Sequence, residues 1–258
     1  MPFLVIDIET VANEHAPKYF ASKRYTPASK LAEIDSPPKA ITGLKNEELR
    51  EERLTLWRLE QQQKLDDSVN EQRARDFDKA ALKWWTGKVI CICGYNMATD
   101  EESKFTNLGD ERALLNDFFN FLEKGYSYSV PVKEIEQSGT HPYQLIGKET
   151  KDFDLPYLRG RAIALNTGVP DTLRVYNEQR LQDINDLFGF SSTRSQRGRL
   201  NDYAWGIQMA GKLRDGGDVA SMYDDGAAQE IEDYCMQDVY IPTEILRRYL
   251  KPFLPEGY

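Results

Sequence analysis

The chain opens on an apolar run, Phe3-Leu4-Val5-Ile6-Asp7-Ile8-Glu9, whose two polar side chains stand two residues apart. A strand has a side-chain period of two, so Val5, Asp7 and Glu9 share one face while Leu4, Ile6 and Ile8 share the other. Residues 13–40 carry scattered Pro and Lys and predict irregular structure. From Asn46 to Lys83 the chain is dense in Glu, Arg, Gln and Lys, with Leu49, Leu56, Leu59, Leu65, Val69 and Phe77 only loosely at helical spacing. This pattern predicts a largely solvated helical arm, and its thin apolar stripe shows no second interface. A partner-binding or nucleic-acid-clamping use of the arm stays open beside that plainer reading.

Lys88 to Met97, KVICICGYNM, predicts a buried strand, with Ser103 to Leu108 as its hairpin partner. Leu114, Leu115, Phe118, Phe119 and Leu122 give Glu111 to Lys124 an amphipathic helical face, and Gly125 follows as a stop. Tyr143 to Gly147 reads as a short strand and Leu155 to Leu165 as a helix, while residues 172–190 mix both signals. Asn201 to Ala210 and Ala227 to Leu250 predict the last helices, with Pro242 as a kink or early break. The order is β, insertion, β, β, α, β, α, with no internal repeat.

With 258 residues, 40% hydrophobic and 11% aromatic, the chain can bury a sizeable core. It is read as one domain, 1–258, with a helical insertion at about 13–83. Cys91, Cys93 and Cys235 lack zinc or disulfide spacing and read as small buried residues in a reduced, intracellular, cytoplasmic protein. No stretch is apolar for long enough to span a bilayer, so no membrane partner is expected. The net charge of -9 argues against coating nucleic acid by bulk attraction, although a carboxylate cluster loaded with cations attracts phosphate locally. His15 and His141 are the only histidines, and neither adjoins a nucleophile motif, so a hydrolytic triad is not indicated.

Two carboxylates on one face of an apolar strand repel each other and resist desolvation, unless a cation neutralises them. A hard divalent ion is the natural candidate. Two further acids stand in suggestive settings. Asp154 lies in KDFDLPYL, where it could equally be a helix N-cap, and Asp238 follows Tyr234 by four residues, on one helical face.

Asp7-Ile8-Glu9, Phe153-Asp154 and Tyr234-x-x-x-Asp238 together resemble the three motifs of the DEDD 3′–5′ exonucleases, in the subgroup with tyrosine in the third motif. The chain looks most like stand-alone exonucleases related to the proofreading domain of family B DNA polymerases. Asp233 stands where the sister subgroup has histidine, and Gly147-Lys148-Glu149 replaces the polar pair that relatives carry before Phe-Asp. The resemblance implies an α/β, RNase H-like fold: a mixed five-stranded sheet flanked by helices. It implies that Asp7, Glu9, Asp154 and Asp238 hold two Mg²⁺ or Mn²⁺ ions about 3.5–4 Å apart, which activate a water and stabilise the leaving 3′ oxygen. Tyr234 would orient that water.

The implied substrates are single-stranded DNA or frayed DNA 3′ ends, cut to nucleoside 5′-monophosphates in DNA replication or repair. The chain stops soon after the third motif, so a polymerase or replication protein would act in trans. A 3′–5′ exoribonuclease and a catalytically silent nucleic-acid-binding scaffold of the same fold are the alternatives. Nucleoid association and viral origin are both open. Thr10, Lys148, Tyr157, Arg194, Arg197 and Arg199 are the candidate nucleic-acid contacts. The arginines lie in the basic stretch SSTRSQRGRL, which is also readable as an ordinary solvated loop.

Overall fold

Strand β1 (Phe3–Ala12) is apolar on both faces ahead of its acids, and such a strand has to be covered on both sides. The structure, a computed structural model, describes residues 3–25, 37–132, 135–174, 183–189, 197–212 and 216–250. In it β1 is an inner strand, flanked by β2 (Gly87–Asn96) and β6 (Gln144–Ile146), and β3 (Glu101–Thr106) completes the sheet order β3-β2-β1-β6. β6 runs parallel to β1, with Leu4 opposite Leu145 and Val5 opposite Ile146. β3 is antiparallel to β2, from Cys91 opposite Thr106 to Asn96 opposite Glu101. The result is a mixed sheet with helices on its faces, as the resemblance implies. Among the described residues this sheet has four strands where the resemblance implies five, and one isolated parallel bridge joins Gly147, just after β6, to Asp183.

The pleat of β1 divides the interior in two. Val5 and Val11 join Ile90, Cys91 and Cys93 of β2 in a core covered by the long helix Ala228–Leu250. Leu4, Ile6 and Ile8 join Val89 and Ile92 in a second core under the helices Glu111–Lys124 and Asp154–Leu165. Glu111–Lys124 forms because its apolar residues recur every three or four positions and both ends are capped. Asp110 accepts from the Ala113 N–H at 3.0 Å, and Gly125 ends the helix at φ 67°. Burying each of Leu114, Leu115, Phe118 and Leu122 contributes about 1.5–3 kcal/mol.

The helices are numbered in chain order: α1 (Ala16–Ser22), α2 (Lys39–Thr42), α3 (Glu47–Asp78), α4 (Glu111–Lys124), α5 (Asp154–Leu165), α6 (Ile184–Leu187), α7 (Leu200–Gly206), α8 (Asp218–Asp224) and α9 (Ala228–Leu250). The chain divides into two compact units, Met1–Val11 with Leu82–Tyr258, and Ala12–Ala81. In the second unit, α3 is the solvated arm. Asn46 caps it by accepting from the Leu49 N–H at 3.2 Å, and along its 32 residues Leu65 alone is buried. None of the described helices is long and apolar enough to cross a membrane.

Three expectations change. Residues 13–40 are not wholly irregular: α1 forms there because Pro17 sits in the first turn, where its missing N–H is harmless, and Ala16 and Phe20 pack with Tyr25 and Ala80. A hairpin of β4 (Tyr126–Val132) and β5 (Ile135–His141) follows α4 as a separate two-stranded sheet. Pro131 obscured it, although an edge position tolerates the lost donor. Helix α9 runs through Pro242 instead of breaking, held by buried Ile241, Ile245 and Leu246 on its core face.

One ion pair is built into the second core. Arg161 on α5 donates to both carboxylate oxygens of Glu111 at 2.8 and 2.6 Å, and also to the Trp84 carbonyl at 2.9 Å. Glu111 in turn accepts from the Val89 N–H at 2.7 Å, tying β2 to α4 and α5. Both side chains are under a tenth exposed. Removing one partner leaves a buried charge uncompensated, so Arg161→Met is expected to destabilise the fold by about 3–5 kcal/mol. Urea denaturation checks this, and a loss below about 1 kcal/mol would contradict the structural role.

Candidate functional site

The carboxylates converge because three chain segments meet at one edge of the β1 pleat. Asp7 and Glu9 occupy the β1 face that carries Val5 and Val11, the face that α9 covers. On α9, Tyr234 and Asp238 are one turn apart and look towards that strand. Just behind them, the Cys235 Sγ lies 3.6 Å from the Asp7 Oδ2 and 3.4 Å from the Asp7 carbonyl oxygen.

Asp154 arrives through a tight turn from β6. A Cβ on Gly147 would stand 2.4 Å from the Ile6 carbonyl oxygen and 2.2 Å from the Thr150 Oγ1, so glycine alone lets the chain pass so close to β1. Glu149 follows at φ 61°, and its carbonyl accepts from the N–H groups of Asp152 and Phe153. Asp154 is then the first residue of α5. It does not cap the helix, for Phe153 holds the N-cap position, and the Asp154 carboxylate is left to face the other acids.

The electrostatics record this crowding. Burial raises the Asp7 carboxyl well above its usual range, and the charges of Asp238, Glu9 and Asp154 push it further. Glu9, 8% exposed, is raised by burial and then by Asp238. Asp154, 2% exposed, is pushed up to about 8 by burial, against the Thr150 hydroxyl, with Asp183 and Asp238 adding repulsion. Asp238 is raised by burial as well, and its Oδ1 is buried without a hydrogen-bond partner.

The sequence reading missed the cation at the centre. Lys212, between Gly211 and a Gly-containing stretch, pairs with the Asp238 carboxylate and donates to the Tyr234 Oη at 2.9 Å. Burial works against its charge, but Asp238 and Tyr234 hold its pKa above the ordinary lysine value. Tyr234 is pushed up to about 12 by burial, so its hydroxyl stays protonated at neutral pH. Because that oxygen already accepts from Lys212, its own O–H remains to be donated.

Four acids crowd together, Lys212 pairs with one of them, Asp238, and that acid keeps an orphaned buried oxygen. Such a donor set, all oxygens of hard character, suits a hard divalent cation. Ligand atoms of Asp7, Glu9 and Cys235 lie within 4.8 Å of one another, close enough to share an ion.

The candidate nucleic-acid contacts lie differently from the sequence reading. Lys148 is not a free cation: its ammonium is 2.6 Å from the Glu149 Oε1. Arg197 likewise donates to Glu149 at 2.9 Å and to Asp152. Glu149 also accepts from the Asn185 Nδ2 at 3.2 Å, and the Asn185 Oδ1 accepts from the Tyr203 hydroxyl at 2.7 Å, completing a polar network beside the Asp154 turn. Tyr157 is 3% exposed and hydrogen-bonded to Thr10, with its ring against Phe153, so it offers no open face for a base. Arg199 is exposed at the start of α7, and Arg194 lies outside the described residues. Trp84 and Trp85, just before β2, are more than a third exposed, although Trp84 lies against Gly160. Cys91, Cys93 and Cys235 are fully buried, as expected.

In the folded protein Asp154 holds its proton up to about pH 8, while its ordinary value is 3.8. The folded state therefore binds more protons across that window, and the stability this lends below about pH 4 is lost as pH rises towards 8. In chelator, the melting temperature of the wild type is expected to fall relative to Asp154→Asn over that range, and a divalent cation should restore it. Circular dichroism melts across pH check this. A pH-independent difference between the two proteins would contradict it.

Residues 76–246 match the family model described as a predicted 3′–5′ exonuclease related to the exonuclease domain of PolB. The match includes Asp154, Tyr234 and Asp238 and leaves out β1 with Asp7 and Glu9. No curated protein sequence matches the chain. Among solved structures, the family B DNA polymerase from the hyperthermophilic archaeon Pyrobaculum calidifontis is similar, at 20% identity and a TM-score of 0.49, over 68% of this chain and 23% of that one. On the match across residues 76–246, the chain belongs to the family of predicted 3′–5′ exonucleases related to the exonuclease domain of PolB.

Proposed function

We propose that this protein is a metal-dependent 3′–5′ exonuclease that hydrolyses single-stranded DNA or frayed 3′ ends to nucleoside 5′-monophosphates. The observation that carries the reading is the meeting of Asp7, Glu9, Asp154 and Asp238 in one buried cluster, with Lys212 paired to Asp238 and the other Asp238 oxygen buried and unpartnered. The family match supplies the direction of cleavage, and the preference for DNA rests on the relation to polymerase exonuclease domains.

In this reading Asp7, Glu9, Asp154 and Asp238 hold two divalent cations, Mg²⁺ or Mn²⁺. When bound, these would supply Lewis acidity for water activation and for charge on the leaving 3′ oxygen. The chain's own groups do the positioning. Lys212 fixes one lone pair of the Tyr234 oxygen, which points the phenolic proton away from the ammonium and makes it a donor that can orient the attacking water. With its pKa near 12, Tyr234 does not act as a base at neutral pH. The turn from Gly147 to Phe153 sets where Asp154 stands, and the network of Glu149, Arg197 and Asn185 holds that turn.

Residues 1–258 act as one exonuclease domain, with the helical segment at about 13–83 as an insertion in it. Arg199, the exposed cation of the basic stretch among the described residues, is the first candidate for a backbone phosphate, with Thr10 on β1 as a second contact. A polymerase or replication protein acting in trans would supply the 3′ ends.

A 5′-labelled single strand incubated with protein and Mg²⁺ or Mn²⁺ should give a ladder shortening from the 3′ end, faster than on the same strand made of RNA. Asp7→Ala and Asp238→Ala should abolish the ladder and keep the wild-type circular dichroism spectrum. Tyr234→Phe should slow it on the order of 10²-fold, the usual cost of one lost hydrogen-bond donor at a reacting centre. Wild-type turnover in either aspartate variant would end this reading, and a strand bound but never shortened would mark a silent scaffold.

A further inference from the structure

Directly behind the carboxylates lies a cluster that the exonuclease reading leaves unused. Cys91 and Cys93 stand two positions apart on β2 and share the face covered by α9, which contributes Cys235. All three thiols are fully buried, and their sulfurs lie within 4.8 Å of one another. The Cys91 and Cys93 sulfurs are 3.7 Å apart. A tetrahedral zinc site with Zn–S bonds of about 2.3 Å separates its sulfurs by about 3.8 Å, so this edge already has coordination spacing.

Two further contacts set the cluster apart from three small residues filling a core. The Thr106 hydroxyl donates to the Cys91 sulfur at 3.3 Å, a hydrogen bond of the outer-shell kind that steadies a coordinated thiolate. Cys235 belongs to two groups at once: its sulfur completes the thiol triad, and it also lies with the ligand atoms of Asp7 and Glu9 inside 4.8 Å. Asp7 meets the triad at Cys235, its Oδ2 lying 3.6 Å from that sulfur, close to the spacing of sulfur and oxygen on one tetrahedral ion. Cys91 and Cys93 are outside its 4.8 Å group, so its carboxylate has to turn towards them to complete a site.

We propose that Cys91, Cys93 and Cys235 bind a soft, thiophilic divalent cation, Zn²⁺ or Cd²⁺, with the Asp7 carboxylate as fourth ligand. The thiols select such an ion over Mg²⁺ because soft ligands prefer soft metals, whereas the neighbouring carboxylates prefer hard ones. Each coordinating thiol gives its proton to solvent, and no electron is transferred. Asp7 is the ligand the two sites share, so filling the thiol site withdraws a carboxylate from the hard-cation site. Only the loss of cleavage that follows rests on the exonuclease reading.

The test uses the reduced full chain, titrated with Cd²⁺ in excess Mg²⁺ while the sulfur-to-cadmium charge-transfer absorption in the ultraviolet is followed. One Cd²⁺ per chain is expected, with the absorption lost or reduced in Cys91→Ala and Cys93→Ala, and binding at least tenfold weaker in Asp7→Asn. In a parallel titration, bound Mn²⁺ counted by electron paramagnetic resonance should fall as Cd²⁺ fills the thiols. No thiolate absorption at one equivalent in the wild type would overturn the site, whatever the variants do. Thiolate absorption with undiminished Mn²⁺ binding would overturn the sharing of Asp7. Cd²⁺ and Mn²⁺ behaving as expected in a protein that cleaves no strand would uphold the thiol site and count against the exonuclease reading instead.

Discussion

Everything about this fold turns on holding like charges together. Four carboxylates meet where burial penalises ionisation, and the charges of Asp238 and Asp154 raise the pKa values of Asp7 and Glu9 further. A protein tolerates that arrangement only with compensation, and here it has two forms: protons that stay on at higher pH than usual, and the Lys212 ammonium. Neither compensation is complete, as the unpartnered Asp238 oxygen shows. Stability is given up locally to keep a donor set poised, a familiar pattern where function sets the geometry.

The sheet makes the cluster affordable. β1 has neighbours on both edges, and its pleat separates two cores, so Asp7 and Glu9 ride on an inner strand that is covered on both faces. Sequence distance matters little against that. Between β1 and β2 the chain makes a compact unit of its own, Ala12–Ala81, and the ends of a loop still meet at a cost that grows only as the logarithm of its length. This is why a family match that begins at residue 76 leaves out two of the four acids, yet the fold returns β1 to its place between β2 and β6.

What was legible in the sequence was whatever a short period carries. The alternation in Phe3 to Glu9 told which face Asp7 and Glu9 share, and the four-residue step from Tyr234 to Asp238 told that both look one way. The amphipathic spacing of Glu111 to Lys124, with Gly125 after it, marked that helix and its end, while the Asp110 cap showed only in the structure. What was illegible depends on partners far along the chain. Nothing local distinguishes Lys212 from any lysine beside glycine, since its role comes from Asp238 and Tyr234, more than twenty residues on. Arg197 looked like a free phosphate ligand because the sequence shows charges without their counter-ions, and Glu149 stands 48 positions away. Tyr157 is a candidate contact by sequence because it lies near Asp154, but on the folded helix its side chain is buried in the core.

The position of Lys212 bears on how the site fills. An ammonium supplies one charge and three donors in fixed directions, so it can quiet Asp238 and Tyr234 but cannot reach every oxygen of the other acids. Protons neutralise the remainder only where pH permits, and they leave carboxylic acids that bind cations poorly. A divalent ion brings twice the charge of the lysine and accepts oxygens from several directions at once, so it satisfies the acids that Lys212 leaves. Lys212 is therefore a resident counter-ion for Asp238 and a fixed donor to Tyr234, both on α9. Its charge also acts on Asp7 and Glu9 of β1, lowering the pKa values that burial and the neighbouring acids raise.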